Sequence, residues 1–488
     1  MKPSRMKLPL SIIAIIACAF ALALLSYRED VRALSSLLKR TPFYKAAHAV
    51  TTSIEVAAEN NGKSTEEDDF LDSERADLDP KPFYKAAHVV TTSIEVAAEN
   101  NGNATKEDDF LDSKRRDFDP NTCDITNGKW VFNPSIKPLY TDRTCPYIDL
   151  QLQCTSNGRP DDDYLHWEWQ PEECSLPRSN TFAIFLTSLS LFCMYSFISP
   201  LRFDAALVLK KLRGKRLMFV GDSLQRGQWE SFVCMVSSHI PEGQGSMKQG
   251  KFLSVFTAKE CNASIEFYWA PYLIKSNTDD HIIADTKKRI VRLDSIFDHA
   301  KNWVGADILV FNSYVWWMSS PSIKILLGSF PNGEDGVLEL DTEPAYRIAL
   351  QTWANWVDST VNPNKTRVFF SSVSSTHIRS ADWHNENGIR CYNETKPVME
   401  KGFWGSSDRR KMQDVASTIA RMKVPVTFLN ITQMTEYRID GHVSVYTESQ
   451  GKVLTAEQKA DPQSYADCIH WCLPGVPDTW NRLFFAYL

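Results

Sequence analysis

The chain has 488 residues, 43% of them hydrophobic and 23% charged, which exceeds one average domain and allows a large buried core. Its formal net charge of -6 speaks against a nucleic-acid partner. Fourteen tryptophans suit either a core or a surface that stacks on sugar rings.

From the N-terminus, residues 8–25 carry no charge and follow Lys2, Arg5 and Lys7. A run of that length behind positive charges predicts a signal anchor over 8–26 with a cytosolic tail at 1–7. A cleaved signal peptide, with Ala19, Ala21 and Ala23 near the cleavage point, is the alternative. Either way the remainder enters the secretory lumen. Sequons at Asn103, Asn262, Asn364, Asn393 and Asn430 and a total of eleven cysteines agree with that fate. Residues 27–120 read as a disordered lumenal stem. Within it Pro42 to Pro80 recurs as Pro82 to Pro120 with seven differences, and the copies carry acidic runs such as Glu66-Glu67-Asp68-Asp69. Two copies are too few to build a solenoid core.

Residues 121–178 are rich in Cys, Trp, Pro and Asp. They predict a small cysteine-rich domain with little regular structure, packed on the main domain and walling one side of its cleft. Cys123, Cys145, Cys154 and Cys174 could form two bridges in three ways. Cys234, Cys261, Cys391, Cys468 and Cys472 are odd in number, and Cys261 is expected to be unpaired. No Cys-x-x-Cys spacing supports zinc, and no metal site is expected. Next, Thr181 to Ser199 is uncharged and long enough to cross a membrane. A crossing there would return Ser223 and four of the five sequons to the cytosol. Residues 179–202 therefore read as an insertion foreign to the fold, and removing them joins Leu176-Pro177-Arg178 smoothly to Phe203-Asp204. A buried hairpin or helix is the alternative.

From 203 to 488 the pattern is β/α. Strands are predicted at Leu217–Val220, Ile265–Trp269, Ile308–Phe311, Val368–Ser371 and Val426–Leu429, with helices at Gln225–Val236, Pro344–Ser359 and Asp408–Met422. Short apolar strands alternating with helices predict a mainly parallel sheet covered on both faces, with reactive groups at the carboxyl ends of the strands. The first strand stops in Gly221-Asp222-Ser223. A serine at a helix start faces unsatisfied N–H groups and the positive end of the dipole, which suit a developing oxyanion. It still needs a base and a group to orient that base. Asp467-Cys-Ile-His470 offers both three residues apart, and Asp163-Tyr-Leu-His166 is a rival pair upstream. His442 is a second candidate base. Asn312 directly follows a predicted strand, where its amide could face an oxyanion or simply end the strand in a turn.

Taken together, Phe219-Val-Gly-Asp-Ser-Leu-Gln-Arg-Gly-Gln-Trp-Glu-Ser, Glu266-Phe-Tyr-Trp-Ala-Pro, Leu429-Asn-Ile-Thr, Arg438-Ile-Asp-Gly-His442 and Asp467-Cys-Ile-His-Trp-Cys-Leu-Pro-Gly resemble the plant trichome birefringence-like family. The resemblance runs from about Cys123 to Leu488 apart from the apolar run, and is greatest to xylan O-acetyltransferases. It implies a catalytic domain related to the GDSL (SGNH) esterases, a three-layer α/β/α fold, behind an N-terminal cysteine-rich domain. It implies a single-pass type II protein of the Golgi membrane that O-acetylates wall polysaccharide. It also implies Ser223 as nucleophile, His470 as base and Asp467 as its orienter, with Gly221, Asp222 and Asn312 as oxyanion or substrate candidates. The duplicated stem and the apolar run lie outside the family pattern, and Ser374-Ser-Thr-His377 lacks the proline of a Ser-Pro-Thr-His element.

The reaction expected is transfer of acetyl through an acetyl-serine to a xylosyl hydroxyl. No bound cofactor is expected. Acetyl-CoA, or the acyl group of a membrane protein, would be the co-substrate, and the partners would be xylan or a related polysaccharide and the Golgi membrane, with no nucleic acid. An acetyl esterase would use the same residues with water as acceptor. A non-catalytic polysaccharide binder would instead use Trp316, Trp317 and Trp404 as stacking platforms.

Overall fold

In the computed structural model, residues 124–172, 203–279, 282–283, 285–326, 336–405 and 407–488 are described. The expected tail, anchor and stem, the apolar run at 179–202, and Cys123 and Cys174 lie outside them. Among the described residues no helix is long and apolar enough to cross a membrane.

The apolar runs pair as one sheet. Its strands in chain order are β1 (Arg216–Gly221), β2 (Gly245–Lys248), β3 (Leu253–Ala258), β4 (Ala263–Trp269), β5 (Ile308–Phe311), β6 (Arg367–Ser371) and β7 (Val426–Leu429), arranged β7-β6-β5-β1-β4-β3-β2. All neighbours from β7 to β4 are parallel, whereas β3 runs antiparallel to β4 and β2 antiparallel to β3. The sheet is thus mainly parallel but mixed. The expected strands were the parallel ones. Strand β2, Gly-Ser-Met-Lys, has Met247 as its single large apolar residue and carries little strand signal.

Central strand β1 shows why two faces are covered. Successive side chains point to opposite sides. Leu217 and Phe219 join the core that holds Phe232 and Val233 of α2 (Ser223–Ser237) and Leu483 and Phe484 of α5 (Val476–Tyr487). Met218 and Val220 join the other, with Trp353 and Val357 of α3 (Thr342–Thr360) and Val415 of α4 (Arg409–Ile419). Helix α1 (Ala205–Lys211) adds Val208 to the first core. Each large apolar side chain fully removed from water contributes roughly 1.5–3 kcal/mol, so the sheet is held by both layers together.

Residues 124–172 have more regular structure than their composition suggests. Gly128–Phe132 pairs antiparallel with Trp167–Pro171, placing Trp130 opposite Trp169. The segment packs on the main fold as expected, and polar contacts fix it there. Trp130 Nε1 donates to the Met434 carbonyl at 2.8 Å, Tyr140 Oη to Asp478 at 2.6 Å, and Arg159 to the carbonyls of Asp440 and His442 at 2.8 and 3.1 Å.

The disulfides correct the pairing expected within the cysteine-rich segment. Cys145 bonds to Cys234 in α2, and Cys154 bonds to Cys472 near the C-terminus; both bridges leave the segment. Cys391 pairs with Cys468, and Cys261 is free and buried, as expected. The Cys154–Cys472 bridge spans 318 residues, which puts it near the upper end of the roughly 2–5 kcal/mol a disulfide contributes by restricting the unfolded chain. Of the sequons on described residues, Asn262, Asn364 and Asn393 are exposed. Asn430 is 7% exposed and accepts from Ser372 Oγ, so its place in the fold is structural.

Candidate active site

Parallel pairing brings the carboxyl ends of β1, β4 and β5 side by side, with Gly221 opposite Trp269 and Val220 opposite Phe311. Gly221 is needed there because a Cβ would stand 2.2 Å from the Asn312 carbonyl oxygen and 2.9 Å from Gln225 Cβ. Asp222 then turns the chain into α2: it is fully buried, and its carboxylate accepts from the Leu224 amide at 2.9 Å as the N-cap. Burial pushes its pKa up to about 6, against the lowering pull of the backbone amides of Leu224, Tyr314 and Gln225. Ser223 is the first residue of α2, at the positive end of its dipole.

The strand Asp467–Trp471 lies across this end, paired antiparallel with His442–Ser444. It brings His470 Nε2 to 2.7 Å from Ser223 Oγ, and His470 Nδ1 to 2.7 Å from Asp467 Oδ2. Asp467 Oδ1 accepts the main-chain amides of Ile469 and His470 at 3.0 and 3.1 Å. Burial alone would raise the Asp467 pKa. The charge and hydrogen bond of His470, with those two amides, outweigh it and hold the carboxyl well below the usual carboxylate range. An ionised Asp467 requires a hydrogen on His470 Nδ1. That leaves the Nε2 lone pair facing the serine, the tautomer a general base needs.

The other candidates fall elsewhere. The side-chain amide of Asn312 donates to the carbonyls of Ser371 and Ser372 at 3.3 and 3.1 Å. It braces β5 against the end of β6. The rival pair is not brought to the serine: His166 Nδ1 donates to the Ile136 carbonyl at 3.0 Å, and its nearest carboxylate is Asp162 rather than Asp163. His442 is buried, stacked on Trp471 with ring centroids 3.9 Å apart, and donates from Nδ1 to the His470 carbonyl at 3.0 Å. Its other nitrogen lies 2.6 Å from His377 Nδ1. Burial and then the neighbouring His377 hold its pKa well below the ordinary histidine value, and it supports the strand of His470 from behind. Trp317 is core, donating to Ser313 Oγ, whereas Trp316 and Trp404 are half-buried under Arg289 and Arg409.

Sequence reasoning missed Gln151 and Arg226. Gln151 Nε2 lies 3.2 Å from Asp467 Oδ2 and 3.1 Å from His470 Nδ1, and Gln151 Oε1 accepts from Arg226 at 2.7 Å. Arg226 had a signal, standing three residues after Ser223 on the same helix. Gln151 had none, being 316 residues from Asp467.

A family model described as the GDSL/SGNH-like acyl-esterase family found in Pmr5 and Cas1p matches residues 201–487, and one described as the PMR5 N-terminal domain matches 121–175. Over 367 residues the chain is 60% identical to "Protein trichome birefringence-like 3" of Arabidopsis thaliana, covering 75% of this chain and 79% of that one. Over 369 residues it is 55% identical to "Probable xylan O-acetyltransferase 8" of Oryza sativa subsp. japonica, covering 75% and 78%. Over 367 residues it is 46% identical to "Probable xylan O-acetyltransferase 10" of the same rice, covering 75% and 78%.

Proposed function

The chain belongs to the GDSL/SGNH-like acyl-esterase family, among the trichome birefringence-like proteins, and we propose that it is a Golgi O-acetyltransferase that moves acetyl groups onto xylosyl hydroxyls of xylan. The observation that carries the mechanism is the line from Ser223 Oγ through His470 to Asp467, with both contacts at 2.7 Å.

In the first half-reaction Ser223 Oγ attacks the acetyl carbonyl of the donor while its proton passes to His470 Nε2. The charged oxygen of the tetrahedral intermediate forms at the start of α2, where the positive end of the helix dipole stabilises it. Collapse breaks the bond to the leaving group, which takes the proton from His470, and acetyl-Ser223 remains. In the second half a sugar hydroxyl gives its proton to His470 Nε2 and attacks the acetyl-serine. Collapse then breaks the ester bond, Ser223 Oγ recovers the proton, and the acetylated sugar leaves. Asp467 holds the ring and stabilises its charged form throughout. Acetyl-CoA or the acyl group of a membrane protein would supply the acetyl.

The esterase description of the family keeps one further reading in view, in which water replaces the sugar hydroxyl in the second half with the same residues. Incubating the purified full chain with xylohexaose and acetyl-CoA, and following oligosaccharide mass, separates the two. Acetylated oligosaccharide supports transfer. Deacetylation of an acetylated xylo-oligosaccharide, with no gain of acetyl by xylohexaose from either donor class, supports hydrolysis.

A further inference from the structure

We propose that Gln151, from the N-terminal segment, is a positioning residue of the reacting site, so that this segment is part of the active site and not only a neighbour of it. The inference rests on the Ser223, His470 and Asp467 mechanism above. What it adds is a closed ring of contacts. Ser223 reaches His470, His470 reaches Asp467, Asp467 reaches Gln151, Gln151 reaches Arg226, and Arg226 sits one turn along the helix that Ser223 begins.

Arg226 decides which way the Gln151 amide points. A guanidinium can only donate, so the atom 2.7 Å from Arg226 Nη2 must be the amide oxygen, and the amide nitrogen therefore faces Asp467 and His470. Because His470 Nδ1 carries hydrogen toward Asp467, Gln151 and His470 are both donors, and they converge on Asp467 Oδ2. With Ile469 and His470 main-chain amides on Oδ1, the carboxylate accepts four hydrogen bonds and cannot rotate without breaking them.

Arg226 and Gln151 are fixed in turn. Asp149 caps the turn Leu150–Leu152 with one oxygen, to the Gln151 amide at 3.0 Å, and holds Arg226 Nη1 at 3.0 Å with the other. Glu230 accepts the Asp149 amide at 2.9 Å and lies 3.7 Å from Arg226 Nε. Thr447 Oγ1 donates to the Gln151 carbonyl at 3.0 Å, and the Leu473 amide donates to the Leu152 carbonyl at 3.0 Å. Three residues beyond Gln151, Cys154 is bonded to Cys472, two residues beyond His470. These contacts hold the main chain of the segment in place, and Arg226 holds the one amide aimed at Asp467.

The test compares wild type, Gln151→Met, Arg226→Met and the double variant as full chains, with Ser223→Ala alongside, using xylohexaose and acetyl-CoA or p-nitrophenyl acetate as donor. Gln151→Met keeps length and removes the amide. It should lower kcat by about tenfold to a hundredfold with KM little changed, the scale expected when a reacting group loses its alignment. Arg226→Met should act in the same direction, and the double variant should cost less than the product of the two single effects. A folded Gln151→Met with wild-type kcat and KM overturns the proposal while leaving the mechanism standing; an active Ser223→Ala overturns the mechanism itself. Should Gln151→Met not fold, Arg226→Lys, which keeps the charge and loses the fork, carries the same comparison.

Discussion

His470 Nε2 lies 2.7 Å from Ser223 Oγ although 247 residues separate them in the chain. One sits at the start of the helix that follows β1 and the other on a strand laid across its end, so the contact reports on the whole tertiary fold. Ser223→Ala should therefore abolish acetyl transfer, by several orders of magnitude in rate, without altering thermal unfolding. Asp163→Ala should leave the rate close to wild type, because that carboxylate is exposed and His166 is bound to a main-chain carbonyl elsewhere. An inactive, folded Asp163→Ala would mean that the wrong pair has been assigned.

Glu230 predicts a pH effect on stability. Burial pushes its pKa from 4.5 up to about 7, with Arg226 only partly offsetting it. The folded state thus binds more protons than the unfolded state between those values. This carboxyl costs nothing below about pH 4.5, its cost grows as pH rises toward 7, and it stays constant above. Glu230→Gln keeps an acceptor for the Asp149 amide and removes the titration. Its thermal midpoint relative to wild type should rise between pH 5 and pH 7.5, by the equivalent of roughly 1–3 kcal/mol. A difference that stays flat over that range contradicts the assignment.

Secretory expression tests the sequons. Asn364→Gln and Asn393→Gln should each remove one glycan by mass, since both side chains are exposed. Asn430→Gln should remove none, because Asn430 lies in the fold beside Ser372. Loss of a glycan from Asn430→Gln would show that the site is modified before this region folds. Unmodified Asn364 and Asn393, with Ser223 open to protease in sealed vesicles, would mean instead that the run at 181–199 crosses the membrane.

The run at 179–202 falls largely between the two family matches, which end at 175 and resume at 201. Deleting it should raise soluble yield and thermal stability, since the uncharged stretch within it, if left in water, would be an apolar surface larger than soluble domains tolerate. Phe203, which packs on Phe232 and Phe485, would then follow directly from Arg178. A deleted form that is less stable or less active would show that the segment belongs to the fold.

Much of this was legible in the chain because local signals were strong. Ile308–Phe311 and Val426–Leu429 are runs whose apolar character fixes both ends, and the structure returns the same bounds. The turn at Gly221-Asp222-Ser223 and the pair Asp467 and His470 could be read from spacing and from the family pattern. What stayed hidden depended on distance. Trp317 and Trp316 are adjacent and identical as letters, yet one is core and the other is half-buried. Asn312 sends its side-chain amide to two carbonyls at the end of β6, about sixty residues on, a contact that its own neighbours in the chain do not signal. Cysteines grouped by nearness in sequence, such as Cys145 and Cys154, found partners 89 and 318 residues away.

The bridge from Cys154 to Cys472 also sets an order of events during synthesis. Cys154 leaves the ribosome 318 residues ahead of its partner. Throughout that interval the Cys154 thiol has no mate, Gln151 has no Asp467 to hold, and Ser223 has no base. A chain truncated anywhere between Ser223 and His470 is therefore left with the nucleophile and without the means to use it.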